Sequence, residues 1–278
     1  MTADDVLVIT GGAGAMGLSC ARALASRGQL LLLDVSDQQL ERARRELAAQ
    51  GAAVEILGCD VTSAADVAAA ADRVRAMGQF RSLVHTAGVS PEMADGRRVL
   101  DVDLVGSARI TDAVFTLAGP GSSAILIGSI AGYSEVKPSV EALLDDPLAD
   151  GFLDAVEQAL DGPLDAAAAY VLAKRGVVRL VERLAAPWGA KGGRTVAIAP
   201  GLIDTPMGRM ELDRQPIMPL MVDATPVKRP GHRLPGRPED IAAAVAFLAS
   251  DDAGFISGCD IRIDGGLVGA GKHMVGAP

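Results

Sequence analysis

Seven short apolar runs punctuate the chain: "DVLVIT" (5–10), "QLLLLD" (29–34), "VEILGCD" (54–60), "SLVHTAG" (82–88), "SAILIGS" (123–129), "RTVAIAP" (194–200) and "CDIRID" (259–264). Their apolar character is nearly continuous rather than alternating, the pattern of strands buried on both faces. Helical windows lie between the first five, near 15–27, 36–50, 63–77 and 94–118, and two more lie near 164–186 and 238–250. Strands alternating with helices predict a parallel sheet covered on both sides. Right-handed crossovers make it a doubly wound, Rossmann-type α/β sheet of seven strands, in a single domain over 1–278.

Two segments break the rhythm. In 134–163, Pro138, Pro147, Gly151 and Pro163 stand among acidic residues. Val140, Leu143, Leu144, Leu148, Phe152, Val156 and Leu160 recur there at helical spacing, which predicts two short amphipathic helices. Residues 202–236 hold six prolines with Met207, Met210, Met218 and Met221. That stretch is too long for an ordinary connection and reads as a substrate loop or lid, or as a cover that only packs on the core.

Bulk properties narrow the field. Hydrophobic residues make up 49% of 278 and charged residues 22%, enough for a sizeable core and too apolar for disorder. A net charge of −9 argues against nucleic acid as a partner. No apolar run approaches the roughly 18 residues of a membrane span, and the acidic start "MTADDVLVIT" does not read as a signal peptide. Cys20, Cys59 and Cys259 are isolated, as expected of buried thiols in a reducing cytoplasm. His85, His232 and His273 are too scattered for a metal site.

Candidate chemistry begins at "VLVITGGAGAMGLSC", a strand, a glycine turn and a helix. Gly11, Gly14 and Gly17 let the backbone approach a pyrophosphate seated on the helix N-terminus, and Ala15 and Met16 complete the turn. Asp34 ends the second strand. A carboxylate there accepts from both adenosine ribose hydroxyls and repels a 2′-phosphate, and no Arg or Lys follows directly, which favours NAD. Asp34 as a helix cap is the alternative, although Ser36 or Asp37 fits that place better. Asp60, with Val61, is a further candidate for the adenine.

Two Tyr-x-x-x-Lys pairs compete for the chemical end: Tyr133 with Lys137, and Tyr170 with Lys174. The two side chains of such a pair face the same way only on one helix. Lys137 precedes Pro138, which pushes it out of the helical region. Tyr170 and Lys174 lie in a long Ala- and Leu-rich window, with Pro163 near its start and Gly176 costing about 1 kcal/mol relative to Ala. A lysine cation about 4 Å from a phenol can draw its pKa from about 10 toward 7. Ser129, at a strand end, can hold a substrate oxygen.

The ordered set "TGGAGAMG", "HTAG", "GSIAG", "YVLAK", "PGLIDTPM" and "SGCDIRIDGG" resembles the short-chain dehydrogenase/reductase family along nearly the whole chain. The resemblance implies hydride transfer between a nicotinamide and a carbinol carbon. Tyr170 is then the acid/base, Lys174 holds the nicotinamide ribose and lowers the Tyr170 pKa, and Ser129 orients the substrate. Pro200, Gly201, Ile203 and Thr205 would hold the carboxamide and diphosphate, with Ala87 and Gly88 under the adenosine side. Within the family the chain looks most similar to bacterial 3α-hydroxysteroid dehydrogenase/carbonyl reductase-like members, which also carry an insertion before the tyrosine helix. That likeness implies a homo-oligomer, dimer or tetramer.

The chain departs from the family pattern in three places. Ala15 replaces a glycine of the shorter members. His85-Thr86 stands where Asn-Asn is usual, a structural contact being the plainer role for His85. Asp103 takes the place of the tetrad asparagine that holds a water beside the lysine. A carboxylate accepts from that water but does not donate; Asp103 is expected to support the relay while drawing on the Lys174 charge. The expected activity is NAD-dependent interconversion of a mostly apolar secondary alcohol and its ketone, steroid-like or smaller. A catalytically weak NAD-binding sensor or scaffold is the alternative.

Overall fold

The computed structural model describes residues 4–274, with side chains to residue 272, so the His273 side chain falls outside it. Seven strands form one parallel sheet in the order β3-β2-β1-β4-β5-β6-β7. The chain enters through β1 (Asp5–Thr10) and α1 (Ala15–Leu24), then steps outward through β2 (Gln29–Asp34), α2 (Asp37–Ala49), β3 (Val54–Gly58) and α3 (Ala64–Met77). It returns to the other side of β1 with β4 (Gln79–His85). After α4 (Gly96–Leu100) and α5 (Gly106–Phe115) comes β5 (Ser123–Ile127). Next are α6 (Pro138–Leu143), α7 (Phe152–Ala159), α8 (Ala166–Ala190) and β6 (Arg194–Pro200). The remainder is α9 (Pro206–Arg214), α10 (Met218–Ala224), α11 (Pro238–Leu248), β7 (Cys259–Ile263) and α12 (Leu267–Met274).

The unbroken apolar strands have the expected cause. Val6 and Val8 of β1 face one core, with α3, α5 and α8, whereas Leu7 and Ile9 face the other, with α1, α2 and α11. Reversal of strand order between β1 and β4 leaves a crevice at their C-terminal ends, where open α/β sheets bind ligands. Gly11 (φ +61°) lets the two loops at this point close: a Cβ there would meet the Ala87 nitrogen at 2.8 Å. Thr10 and His85 lock the same spot through a 2.7 Å hydrogen bond between Oγ1 and Nδ1.

Several local expectations change. The window 94–118 is not one regular helix, because residues Asp101–Val105 form a π turn between α4 and α5. The tyrosine helix starts not at Pro163 but at Asp165, whose carboxylate caps the Ala168 N–H at 3.0 Å. Gly176 is more than a propensity cost: a Cβ would meet Leu104 of the π turn at 2.5 Å, so the glycine permits that close approach. The segment 134–163 does form two short helices, α6 and α7. Val140, Leu144, Phe152 and Val156 are buried against α8 and its neighbours, and Arg175 and Arg179 of α8 bind Glu141 and Asp145 at 2.6 Å. Among the described residues no helix is long and apolar enough to cross a membrane.

Candidate active site

The cofactor end is built from the β1–α1 turn. Gly14 precedes α1 with extended dihedrals and no side-chain cap. The first helical bond runs from the Leu18 N–H to the Gly14 carbonyl, and among the described residues the N–H groups of Ala15, Met16 and Gly17, which line the cleft, have no partner. A Cβ at Gly17 would sit 2.1 Å from the Gly11 oxygen, so the turn closes only on glycine. Asp34 accepts from the Ala13 and Ser36 N–H groups, each at 3.2 Å, which fixes its carboxylate at the cleft wall with lone pairs to spare. Ser36 is the cap of α2.

Asp60 and Val61 also line the cleft. Asp60 accepts from the Thr62 N–H at 2.9 Å and pairs with Arg98 at 2.9 Å. Burial pushes its carboxyl up, but these partners outweigh it and hold the group below its ordinary value. Sequence reasoning missed Arg98, because the pairing spans 38 positions and two elements. Ala87, Gly88, Pro200, Gly201, Ile203 and Thr205 complete the same wall. Thr205 caps α9 by accepting from the Gly208 N–H at 3.0 Å. The free helix N-terminus, the glycine cradle and the Asp34 carboxylate together fit an extended dinucleotide.

Ser129 follows β5 and opens a 3₁₀ turn, Ile130–Tyr133. Tyr170 and Lys174 lie one turn apart on α8, with the lysine Nζ 5.3 Å from the phenol ring centroid. Lys174 is buried, donates to the Ile127 carbonyl at 3.4 Å and forms an ion pair with Asp103 at 2.9 Å. The other Asp103 oxygen accepts from the Val89 N–H at 2.8 Å. All four side chains line one cleft of about 1620 Å³, whose wall also includes the glycine turn and Asp34.

The electrostatics differ from the sequence expectation. Burial pushes the Tyr170 phenol above its ordinary value. Lys174 and the nearby Ser129 hydroxyl pull it down, whereas Glu211 and Asp103 oppose them. The net direction is upward, because burial, with Glu211 and Asp103 added, outweighs Lys174 and Ser129. Burial pulls Lys174 down, but the Asp103 carboxylate, with Tyr170 and Glu211, more than reverses this and keeps the ammonium protonated. Burial likewise raises Asp103, partly offset by Lys174 and the Val89 N–H. His85 is held neutral, down to about 3, by burial and by Lys174.

Tyr133 and Lys137 take no part in this cluster. The Tyr133 hydroxyl bonds the Asp260 carboxylate of β7 and its ring lies under Arg262, so it does not line the cleft. Lys137 is the residue before α6 and is not helical (φ −56°, ψ 127°). Of the segment 134–163 only Ser134 reaches the cleft; its apolar face is used up on α8, so it does not shape the pocket. The four methionines of 202–236, by contrast, all line it. Sequence reasoning overlooked Glu211 and Arg214, which share the cleft wall with Met207 and Met210. The available signal was their helical spacing from those methionines, at 207, 210, 211 and 214.

Comparison with known proteins agrees with this geometry. A family model described as short chain dehydrogenase matches residues 5–140, and one described as enoyl-(acyl carrier protein) reductase matches 158–268. A cis-4-hydroxycyclohexanecarboxylate dehydrogenase of Sinomonas cyclohexanicum is 33% identical over 276 residues, covering 95% of this chain and 96% of its own. The chain belongs to the short-chain dehydrogenase/reductase family. Another member, a 3beta-hydroxysteroid dehydrogenase 2 of Eggerthella lenta, is 31% identical over 277 residues, with 95% of each chain covered. The solved structure of a levodione reductase superposes with a TM-score of 0.78 at 26% identity, covering 97% of this chain and 100% of its own. The family's oxidoreductases act on alcohols and ketones and use nicotinamide cofactors.

Proposed function

We propose that the chain is an NAD(H)-dependent dehydrogenase/reductase that interconverts a mostly apolar secondary alcohol and its ketone, with Tyr170 as acid/base. The observation that carries this reading is that Ser129, Tyr170 and Lys174 line one cleft together with a glycine-rich helix N-terminus. A nicotinamide bound there supplies the hydride chemistry. The Ser129 hydroxyl holds the substrate oxygen. The Tyr170 phenol takes the carbinol proton during oxidation and returns it during reduction. Lys174, anchored by Asp103 and the Ile127 carbonyl, favours the phenolate and binds the ribose. The methionines of α9 and α10 cover the substrate and keep water out.

Asp34 supports NAD over NADP: it stands at the ribose end of the cleft, followed by Val35 and Ser36 rather than a cation. The exposed Phe247 and Phe255 are consistent with a homo-oligomer, and the unpaired Cys20, Cys59 and Cys259 suit a cytoplasmic protein. The Asp103–Lys174 ion pair favours a second reading, an NAD-binding sensor with weak catalysis. Turnover of a panel of secondary alcohols with NAD and with NADP separates the two. Faster turnover with NAD, and a smaller gap between the cofactors in Asp34→Ala, supports the enzyme. NAD binding without turnover on any alcohol supports the sensor.

A further inference from the structure

Helix α9 turns one face into the cleft, with Met207, Met210, Glu211 and Arg214 at spacings of three, one and three. The methionines suit a carbon skeleton. Glu211 does not. It is half-buried, and among the described residues its carboxylate has no hydrogen bond or ion pair. The groups around it are committed elsewhere. Lys174 is taken by Asp103 at 2.9 Å. Arg214 donates to the Glu92 carbonyl at 3.2 Å, and the Gln215 amide reaches the Glu92 carboxylate at 3.4 Å. Glu211 is nevertheless near enough for its charge to act on both Tyr170 and Lys174. A half-buried carboxyl with no protein partner, beside the reacting groups, faces substrate space.

We propose that Glu211 is a substrate-recognising residue that hydrogen-bonds a second hydroxyl of the substrate, close to the carbinol that Tyr170 serves. The substrate class is then a diol or hydroxyketone on an otherwise apolar skeleton, and this deepens the oxidoreductase reading on which it rests. A hydroxyl suits the site better than an ammonium. Burial and Glu92 raise Glu211 to about 7 against the pull of Lys174, so both protonation states are present near neutrality. A hydroxyl donates to the carboxylate and accepts from the carboxyl, whereas an ammonium pairs only with the carboxylate and is repelled by Lys174. A substrate carboxylate would meet two like charges, Glu211 and Glu92.

The test compares cyclohexanol, trans-cyclohexane-1,2-diol and trans-2-aminocyclohexanol on wild type, Glu211→Leu and Glu211→Gln, each with bound cofactor. Two quantities are read: kcat/KM for oxidation, and the Kd of each probe for the NADH complex by calorimetry. Wild type is expected to prefer the diol to cyclohexanol by about tenfold or more. The ratio collapses toward one in Glu211→Leu, and Glu211→Gln, which keeps an acceptor, retains most of it. An equal preference in wild type, an unchanged ratio in Glu211→Leu, or a Glu211-dependent preference confined to the amino alcohol overturns the proposal. Failure to oxidise any probe counts against the redox reading and not against the subsite. The Kd values still decide the subsite: a Glu211-dependent gap between diol and cyclohexanol upholds it, and no gap overturns it.

Discussion

Asp103 and Lys174 meet at 2.9 Å with side chains almost wholly removed from solvent, so the charge that Lys174 lends to Tyr170 is shared. Because Asp103 and Glu211 both raise the phenol pKa, removing either charge lowers it. Asp103→Asn is therefore expected to move the acid limb of the kcat/KM profile for alcohol oxidation to lower pH, since the phenolate is the form that accepts the proton. An unshifted limb would mean that Asp103 does not act on Tyr170. The four side chains of the cluster are legible in the sequence, as motif order locates Ser129, Asp103, Tyr170 and Lys174. The net direction of the phenol pKa is not. It depends first on how deeply the phenol is buried, and then on Glu211, which arrives from an element 41 residues beyond Tyr170 (211 − 170), and on Asp103.

At the scale of elements, α9 and the 3₁₀ turn after β5 make the most specific claims. Burial raises the Glu211 carboxyl from 4.5 to about 7. The folded chain then holds the proton more tightly than the unfolded chain, and stability falls as pH rises between those values. Glu211→Gln has no such proton to lose. It should melt above wild type at about pH 8, and the difference should close at about pH 4.5 and below. Equal melting temperatures at both pH values would contradict the burial of this carboxyl. Gly132 presses its turn on α8: a Cβ would lie 2.9 Å from the Lys174 carbonyl oxygen. Gly132→Ala should cost about 1–3 kcal/mol in denaturant unfolding and also lower kcat, because the turn carries Ser129. Neither close approach shows in the sequence, where Gly176 reads only as a poor helix former. The π turn at Asp101–Val105 is hidden for a related reason: the apolar spacing of 94–118 suits a helix, and the extra residue in the turn is set by packing on α8 and on the loop at Val89.

The molecule as a whole is the most legible level. The inner strands are apolar on both faces, as a covered parallel sheet requires, and the reversal between β1 and β4 brings the glycine turn, Asp34, Asp103, Ser129, Tyr170 and Lys174 to one cleft. The fate of the insertion is less visible. Its helices follow from spacing, but that they spend their apolar face on α8 rather than on the pocket is a tertiary choice. The two tyrosines also part at this scale: Tyr170 stands at the cleft, and Tyr133 faces Asp260 and Arg262 of β7. The direct test is the rate of NADH formation from a secondary alcohol by wild type, Tyr133→Phe and Tyr170→Phe. Tyr133→Phe should stay within a few-fold of wild type, and Tyr170→Phe should lose about 10²–10⁴-fold in kcat with its fold and NAD binding intact. Wild-type turnover in Tyr170→Phe, or its loss in Tyr133→Phe alone, would contradict the assignment of Tyr170 as the acid/base.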